Sequence, residues 1–191
     1  MCGFLGYFGK DQNVLENISE INSCSKSLKK RGPDSYGTTS LSNFIVHHRR
    51  LSIIGLDEFS NQPFGINESL LAFNGEIYNY KLLKKELENE VNFQSNSDTE
   101  VLYWGLKIYG TKFINKLEGM FSFAYYDSIK NNLILCRDRF GEKPLYFVRT
   151  KKGIFFSSDM KSLLQYSKIK PEVEKENFIH YLAHGYYPQQ I

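Results

Sequence analysis

The second half of this chain contains four segments rich in aromatic and β-branched residues, and short turns separate them. The segments read FSFAYYD, NLILCRDR, PLYFVR and GIFFSS, and they begin at residues 121, 132, 144 and 153. Residues 127–132 and 151–153 are typical of hairpin turns, so neighbouring segments are expected to pair as antiparallel strands. Whatever else the chain does, it must therefore accommodate antiparallel β-structure in this half.

Further strands and helices are predicted from the spacing of apolar residues. Strand patterns occur at 2–9, 36–41, 44–49 and 70–74, and helical patterns at 17–30, 79–88, 99–109, from about 159, and at 174–183. In the second helix we expect Leu82, Leu83 and Leu87 to face inward and Asn79 to cap the N-terminus. Ser97 and Glu100 have the spacing of a capping box. Helices enclosed between two runs of strands predict an α+β layered domain with antiparallel sheets.

Composition restricts the class of protein. The 191 residues fit one domain, with 41% hydrophobic and 24% charged residues and a net charge of +3. Lys and Arg are scattered, so no nucleic-acid-binding face is expected. No apolar run approaches the roughly 18 residues that a membrane span needs, and no signal peptide is apparent.

Three cysteines, at 2, 24 and 136, form no C-x-x-C pair, which favours a reduced, cytoplasmic protein. Cys24 and Cys136 lie in apolar periodic segments and are interpreted as core thiols. His47 and His48 are interpreted as hydrogen-bonded or solvated side chains rather than catalytic ones. Cysteines and histidines show no metal-ligand spacing, so no metal site is predicted.

Cys2 is the first candidate for chemistry. A thiol acts as a nucleophile only as the thiolate, and an ordinary cysteine with a pKa of ~8.5 is mostly protonated at neutral pH. Removal of Met1 would give Cys2 a free α-amine with a pKa of ~7.7–8.0, which can serve as its own general base. The alternative is a small residue that merely starts a strand.

Four further positions suit an acyl-transfer site. Asn74 offers a side-chain N–H and Gly75 a backbone N–H that can approach an oxyanion closely. Arg50 could hold a carboxylate through its planar fork, and Asp98 could bind an ammonium group. Each has a structural alternative, because Gly75 could be a turn residue, Arg50 a surface residue and Asp98 an acid favoured in a first helical turn.

Several ordered sequence blocks carry a resemblance to a known family. They are RGPDSYG from residue 31, HRRLSI from 48, NGEIYN from 74, SDTE from 97, LEGMF from 117 and RDRFGEKPLY from 137. With Cys2, they make the chain resemble the class II glutamine amidotransferase domain, an N-terminal-nucleophile hydrolase, in the asparagine synthetase B branch. The resemblance extends over essentially the whole chain.

This resemblance implies a four-layer αββα sandwich with two antiparallel sheets, and a role for each site residue. Cys2 would be the nucleophile, with its free amine as general base. Asn74 and Gly75 would hold the oxyanion of the tetrahedral intermediate. Arg50 would bind the α-carboxylate of glutamine. Glu76 and Asp98 would bind its α-amine.

The resemblance also implies partners. Residues 1–191 would form the glutaminase domain, with about 170–191 leading into a C-terminal synthetase domain that uses ATP and Mg²⁺. No cofactor is expected within the glutaminase domain itself. L-glutamine, that synthetase domain and a second copy of the chain are the expected partners.

Three functions stay open at this point. The domain could supply ammonia for asparagine synthesis, serve a relative with another acceptor such as a surface-sugar or natural-product carboxylate, or act as a silent scaffold. Cys2 argues against the silent form.

The motif at Arg137, Asp138 and Arg139 is interpreted as a structural salt-bridge network rather than a substrate contact.

Overall fold

A computed structural model describes residues 2–9, 18–53 and 58–186, and the elements below lie within these ranges. The strands are β1 (Gly3–Gly9), β2 (Ser35–Leu41), β3 (Phe44–Arg50), β4 (Phe64–Ile66), β5 (Ser69–Ile77), β6 (Gly119–Asp127), β7 (Asn132–Arg137), β8 (Tyr146–Arg149) and β9 (Gly153–Ser157). The α-helices are α1 (Ile18–Cys24), α2 (Tyr80–Leu87), α3 (Asp98–Tyr109), α4 (Met160–Ser167) and α5 (Lys175–His184). Turns of 3₁₀ helix cover Ser25–Lys30, Glu58–Ser60 and Gly110–Lys116.

The strands form two antiparallel sheets. The first has the order β2-β3-β1-β9-β8 and the second the order β4-β5-β6-β7. In the first sheet Gly3 lies opposite Arg49, so the start of β1 is adjacent to the end of β3. In the second sheet Asn74 lies opposite Ser122 and Gly75 opposite Phe121. These two registers bring the N-terminus of the chain and the C-terminal half of β5 to their places in the site described below.

The two sheets pack face to face, and helices cover their outer faces. The layer between the sheets contains the buried residues Phe4, Phe44, Val46, Leu70, Ala72, Ala124, Tyr126 and Phe156. Outside the first sheet, α1 and α4 pack on Leu5, Tyr7 and Ile45. Outside the second sheet, α2 and α3 pack on Leu71, Phe73, Phe121, Phe123 and Tyr125. The expected αββα sandwich is confirmed.

Side-chain alternation in the strands produces these layers. In β1, Phe4 faces the layer between the sheets and Leu5 faces the helices. The face of β3 that carries Phe44 and Val46 continues through His48 to Arg50. The face of β5 that carries Leu70 and Ala72 continues to Asn74 and Glu76. Apolar residues thus fill one part of the layer, and polar residues follow on the same faces.

Most of the predicted helices and strands are confirmed, with several corrections. Residues 25–30 of the first helix form a 3₁₀ helix, and residue 17 lies outside the described ranges. Leu83 and Leu87 are buried, but Leu82 is 65% exposed, so its inward orientation was wrong. Asn79 does precede α2, but its side chain bonds to Lys116 O and Glu118 N rather than to the helix. The short strand β4 was not predicted.

The capping box at the start of α3 is confirmed on one side. Ser97 Oγ accepts a hydrogen bond from Glu100 N at 3.3 Å. The buried Glu100 carboxylate does not return to Ser97 N; it accepts from Gln94 N, Ser95 N and Ser95 Oγ instead. Glu100 therefore fixes the loop that leads into α3, and Asp98 is positioned as the first residue of that helix.

Across the described part of the chain, every helix is too short or too polar to cross a membrane.

Candidate active site

Cys2 lies at the polar end of the layer between the sheets. Its Sγ is 3.4 Å from Leu51 N and 3.6 Å from Leu51 O, immediately after β3. Its carbonyl accepts a hydrogen bond from Arg31 Nε at 3.1 Å. Arg31 therefore holds Cys2 in place, whereas its neighbours Lys29 and Lys30 are exposed. Pairing of β1 with β3, together with this arginine, fixes the position of the thiol.

A cavity of about 160 Å³ opens at this place. All six residues predicted for the site contribute to its wall, namely Cys2, Arg50, Asn74, Gly75, Glu76 and Asp98. They come from the ends of β1 and β3, from β5 and from the N-terminus of α3. Groups that are far apart in sequence thus surround one small space.

Burial raises the pKa of the Cys2 thiol, although the Leu51 backbone and the positive charge of Arg50 oppose the shift. The thiol is therefore protonated at neutral pH in this arrangement. Nucleophilic attack would require a base that removes the proton as the sulfur reacts.

Asn74 is 1% exposed, and neither Nδ2 nor Oδ1 has a hydrogen-bond partner in the described part of the protein. A buried amide without partners costs roughly 1–3 kcal/mol. Such a cost is typical of a polar group kept for a ligand. Because Asn74 lines the same cavity as Cys2, its amide can donate to a group bound there.

The backbone of β5 supplies a second donor. β4 ends its pairing with β5 at Leu71, and beyond this point no strand of the described residues pairs with the edge of β5 that faces away from β6. Phe73 N and Ile77 N point to this edge, where they donate to Gln62 Oε1 at 2.7 Å and to Asp98 Oδ2 at 3.1 Å. Since N–H directions alternate along a strand, the N–H of Gly75 points to the same edge, between these two bonds.

The identity of Gly75 has its own physical reason. A Cβ at this position would lie 2.2 Å from Met120 O and 2.6 Å from Phe121 Cα. Any side chain would thus push β5 away from β6. Gly75 is therefore required by close strand pairing, whether or not its N–H also contacts a ligand.

Arg50 and Asp98 supply opposite charges to the cavity wall. Arg50 is 5% exposed and donates from one terminal nitrogen to Asn61 Oδ1 at 3.2 Å. Burial raises the pKa of Asp98 to about 6, against the hydrogen bonds from Ile77 and Thr99, and Glu76 adds to the increase. Glu76 itself is partly exposed. The site can therefore accept a ligand with one negative and one positive end.

Sequence reasoning did not predict several residues of the cavity wall, which are Leu51, Ile53, Gln62, Phe73, Thr99, Met120 and Lys143. Lys143 belongs to the RDRFGEKPLY block, so that motif offered a signal. Gln62 has no motif of its own.

The structure corrects the interpretation of the Arg137–Arg139 motif. The Asp138 carboxylate accepts from the backbone N–H groups of Phe121, Phe140, Glu142 and Lys143. Burial raises the pKa of Asp138, but these bonds more than offset that effect and lower it overall. Arg137 donates to the carbonyls of Lys143 and Gly141. The motif is structural, but it works through backbone groups rather than salt bridges.

The histidines and cysteines outside the site are accounted for by packing. His47 Nδ1 bonds with Thr38 Oγ1 and Asn22 Oδ1, and His48 Nε2 bonds with Phe73 O. Cys24 is buried, whereas Cys136 is only partly buried against the outer core of the second sheet. Among the residues that the structure describes, no group of three or more His, Cys, Asp or Glu side chains is arranged to hold a metal ion.

Comparison with known proteins agrees with the fold and identifies the family. The structure of this chain is similar to that of glutamine phosphoribosylpyrophosphate amidotransferase from Bacillus subtilis, with a TM-score of 0.71. The similarity covers 87% of this chain and 44% of that one. At 21% identity this likeness concerns the fold alone, which is that of the N-terminal-nucleophile amidotransferases. Residues 1–191 match the model of the glutamine amidotransferase domain. The chain belongs to this family.

Among glutamine amidotransferases, the chain is similar in sequence to asparagine synthetases. Asparagine synthetase [glutamine-hydrolyzing] 1 of Bacillus subtilis (strain 168) is 34% identical over 99% of this chain. Asparagine synthetase B [glutamine-hydrolyzing] of Escherichia coli (strain K12) is 34% identical over 86% of it. The chain spans about 30% of the length of each of these two proteins.

Proposed function

We propose that this domain hydrolyses L-glutamine to glutamate and ammonia through a thioester on Cys2. The observation that carries the proposal is a pair of N–H donors in the wall of the cavity that contains the thiol. The Asn74 amide is buried without a partner, and the Gly75 N–H is directed to the open edge of β5. Both donors border the cavity that contains Cys2. An oxyanion formed during acyl transfer needs two such donors.

The reaction would proceed in two halves. After removal of Met1, the free amine of Cys2 takes the thiol proton, directly or through one water, and the thiolate attacks the side-chain carbonyl carbon of glutamine. Asn74 and Gly75 stabilise the resulting oxyanion. The protonated amine then gives its proton to the leaving nitrogen, the C–N bond breaks, and ammonia departs from the thioester. Water attacks the thioester next, and the C–S bond breaks to release glutamate and regenerate the thiol.

The charges of the cavity support an amino acid as substrate. We assign the α-carboxylate of glutamine to the Arg50 guanidinium, whose planar fork suits a bidentate contact. The α-ammonium group would lie against Asp98 and Glu76. This orientation directs the side-chain amide towards Cys2, between the two oxyanion donors.

We further propose that the ammonia serves ATP-dependent synthesis of asparagine from aspartate. The names of the two bacterial relatives support this acceptor. The chain covers only about 30% of the length of each, which supports a further synthetase part. The synthetase part, with its ATP and Mg²⁺, would lie in a C-terminal segment that residues 170–191 lead into. Residues 187–191 lie outside the described ranges. We place the protein in the cytoplasm and propose that the complete chain forms a homodimer.

Two alternatives compete with this assignment. A relative with another acceptor would use the same glutaminase site, because the acceptor is bound elsewhere. A silent scaffold would have no use for a buried, unpartnered amide beside a thiol, since such an amide reduces stability. The cavity therefore favours a catalytic domain.

The test is glutamate release by the purified chain without ATP, after mass spectrometry has established that Met1 is absent. We expect slow hydrolysis by the wild type and none by Cys2→Ala. A matched control inserts a lysine between Met1 and Cys2, which retains the thiol but prevents formation of its free amine. That variant is expected to be inactive as well. Near-full activity of Cys2→Ala would exclude Cys2 as the nucleophile.

A further inference from the structure

Two side chains outside the predicted site hold the same residue of β5. His48 Nε2 is 2.9 Å from Phe73 O, and Gln62 Oε1 is 2.7 Å from Phe73 N. His48 is fully buried and Gln62 is 7% exposed. Phe73 therefore has both its backbone groups bonded to side chains at the edge of β5 that has no neighbouring strand.

The reason for this arrangement lies in the length of β4. Phe64 of β4 lies opposite Leu71, so a longer β4 would place residue 62 opposite Phe73. The side chain of Gln62 takes over the bond that the missing strand residue would have made. A buried backbone N–H or C=O without a partner costs roughly 1–3 kcal/mol. The bond from Phe73 N to Gln62 avoids this cost and stabilises the fold.

The bond from His48 also connects the two sheets. His48 belongs to β3, two residues before Arg50, and Phe73 belongs to β5, one residue before Asn74. The carbonyl of Phe73 lies in the same planar peptide unit as the nitrogen of Asn74. His48 thus fixes the peptide that precedes the oxyanion donor relative to the strand that carries Arg50.

The chemistry of this bond sets the state of His48. A carbonyl oxygen only accepts, so Nε2 must carry a proton. Burial lowers the pKa of His48 to about 3, against the bond to Phe73, so the imidazole is neutral at physiological pH. Its Nδ1 has no hydrogen-bond partner in the described part of the chain. A single neutral tautomer therefore holds the two strands together.

We propose that His48 and Gln62 are positioning residues of the glutaminase reaction, which clamp Phe73 so that Asn74 and Gly75 meet the oxyanion. This inference rests on the function proposed above. Neither side chain needs to touch the reacting atoms, although Gln62 also borders the cavity. Gln62 Nε2 is 3.5 Å from Thr99 Oγ1, which links the clamp to the N-terminus of α3.

The test compares His48→Leu with His48→Gln, because Gln can return a donor to about the position of Nε2. Loss of an oxyanion donor costs roughly 10²–10³-fold in kcat, so we expect displacement of the donors in His48→Leu to cost about tenfold or more. The KM for glutamine should change by less than about threefold, since ground-state contacts are kept. His48→Gln should recover most of the lost kcat.

His47→Leu is the matched control. His47 is the adjacent buried histidine, but it faces α1 and bonds with Thr38 and Asn22 on the outer side of the sheet. It should lose thermal stability while keeping the wild-type kcat per active site. Active sites are counted with an electrophilic diazoketone analogue of glutamine that alkylates the thiol, so misfolded protein does not enter the rate.

If His48→Leu does not fold, Gln62→Met decides, because it preserves the volume and removes the acceptor for Phe73 N. It should likewise lower kcat with little change in KM. Wild-type kcat in whichever of these variants folds would overturn the clamp. Absence of Cys2-dependent hydrolysis in the wild type would instead overturn the proposed function, so the two failures are distinguishable.

Discussion

Ile77 donates its backbone N–H to Asp98 Oδ2 over 3.1 Å, which fastens the last residue of β5 to the first residue of α3. Asp98 is therefore part of the framework as well as of the cavity wall. The sequence offered two interpretations of this carboxylate, a helix-terminal acid and an ammonium ligand. The structure shows Asp98 as the helix-terminal acid. It is also compatible with binding of an ammonium group, because a carboxylate can accept several hydrogen bonds at once.

The first prediction concerns pH. Burial raises the pKa of Asp98 to about 6, and we expect an ionised Asp98 to be needed for glutamine binding. The value of kcat/KM, which reflects the free enzyme, should therefore fall as the pH decreases through about 6. Asp98→Asn should have a lower kcat/KM at pH 7.5 and should lack this acidic limb. Steady-state glutaminase profiles from pH 5 to pH 9 check both points.

Protein stability provides an independent readout of the same group. The folded-state pKa lies above the unfolded value of roughly 3.9, so the folded state binds the proton more tightly. Linkage then requires the contribution of Asp98 to stability to decrease as the pH rises from about 4 to about 6. Asp98→Asn should remove this part of the pH dependence. An unchanged pH dependence of the urea midpoint would contradict the raised pKa.

The second prediction concerns Asn74. Asn74→Ala should lower kcat by roughly 10²–10³-fold while KM for glutamine changes little, because the oxyanion exists only along the reaction path. The variant should also be no less stable, since the amide that it removes is buried without a partner. Kinetics and thermal unfolding together test the assignment. An effect confined to KM would make Asn74 a ground-state ligand.

The third prediction concerns Arg50. Lys cannot reproduce the two parallel bonds of a guanidinium to a carboxylate. Arg50→Lys should raise the KM for glutamine and largely preserve the rate of the chemical step. A glutamine analogue with an amidated α-carboxylate should be a poor substrate of the wild type, and the variant should discriminate less between the two compounds. Equal hydrolysis of both by the wild type would rule out the proposed orientation of glutamine.

The fourth prediction tests the corrected face of α2. Leu83 is 3% exposed and Leu82 is 65% exposed. Leu83→Ala should destabilise the protein by about 2–5 kcal/mol through loss of apolar contacts and formation of a cavity. Leu82→Ala, the neighbouring control, should change the stability by no more than about 0.5 kcal/mol. Denaturant unfolding of the two variants measures the difference, and equal losses would contradict the observed helix orientation.

Sequence patterns were sufficient for the features that depend on local repetition. The alternating pattern of residues 2–9 predicted strand β1, because neighbouring side chains of a strand point to opposite sides. The same logic failed for Leu82, because Leu83 and Leu87 set the buried face of α2 and Leu82 lies about 100° around the helix from Leu83. The three residues of β4 were too short to produce a detectable pattern.

The candidate site was predictable at the level of residues, and its physics was not. Cys2, Arg50, Asn74, Gly75, Glu76 and Asp98 could be named because they occur in ordered motifs of a known family. Gln62 and His48 could not be given a role, because their partner is the backbone of Phe73, which has no sequence signature. The pKa of Asp98 was equally inaccessible, since it depends on how much water the folded protein excludes.

The sequence by itself determined the order of strands and helices, the family and the candidate nucleophile, because these depend on residue type and on short-range spacing. Only the tertiary structure decided that β5 has an open edge at Phe73 and Gly75, that Asn74 is buried without a partner, and that the RDRFGEKPLY block works through Asp138 and backbone N–H groups. The physical reason is that hydrogen-bond satisfaction and burial are properties of packed surroundings. They arise from segments that are distant in the chain and meet only in the folded protein.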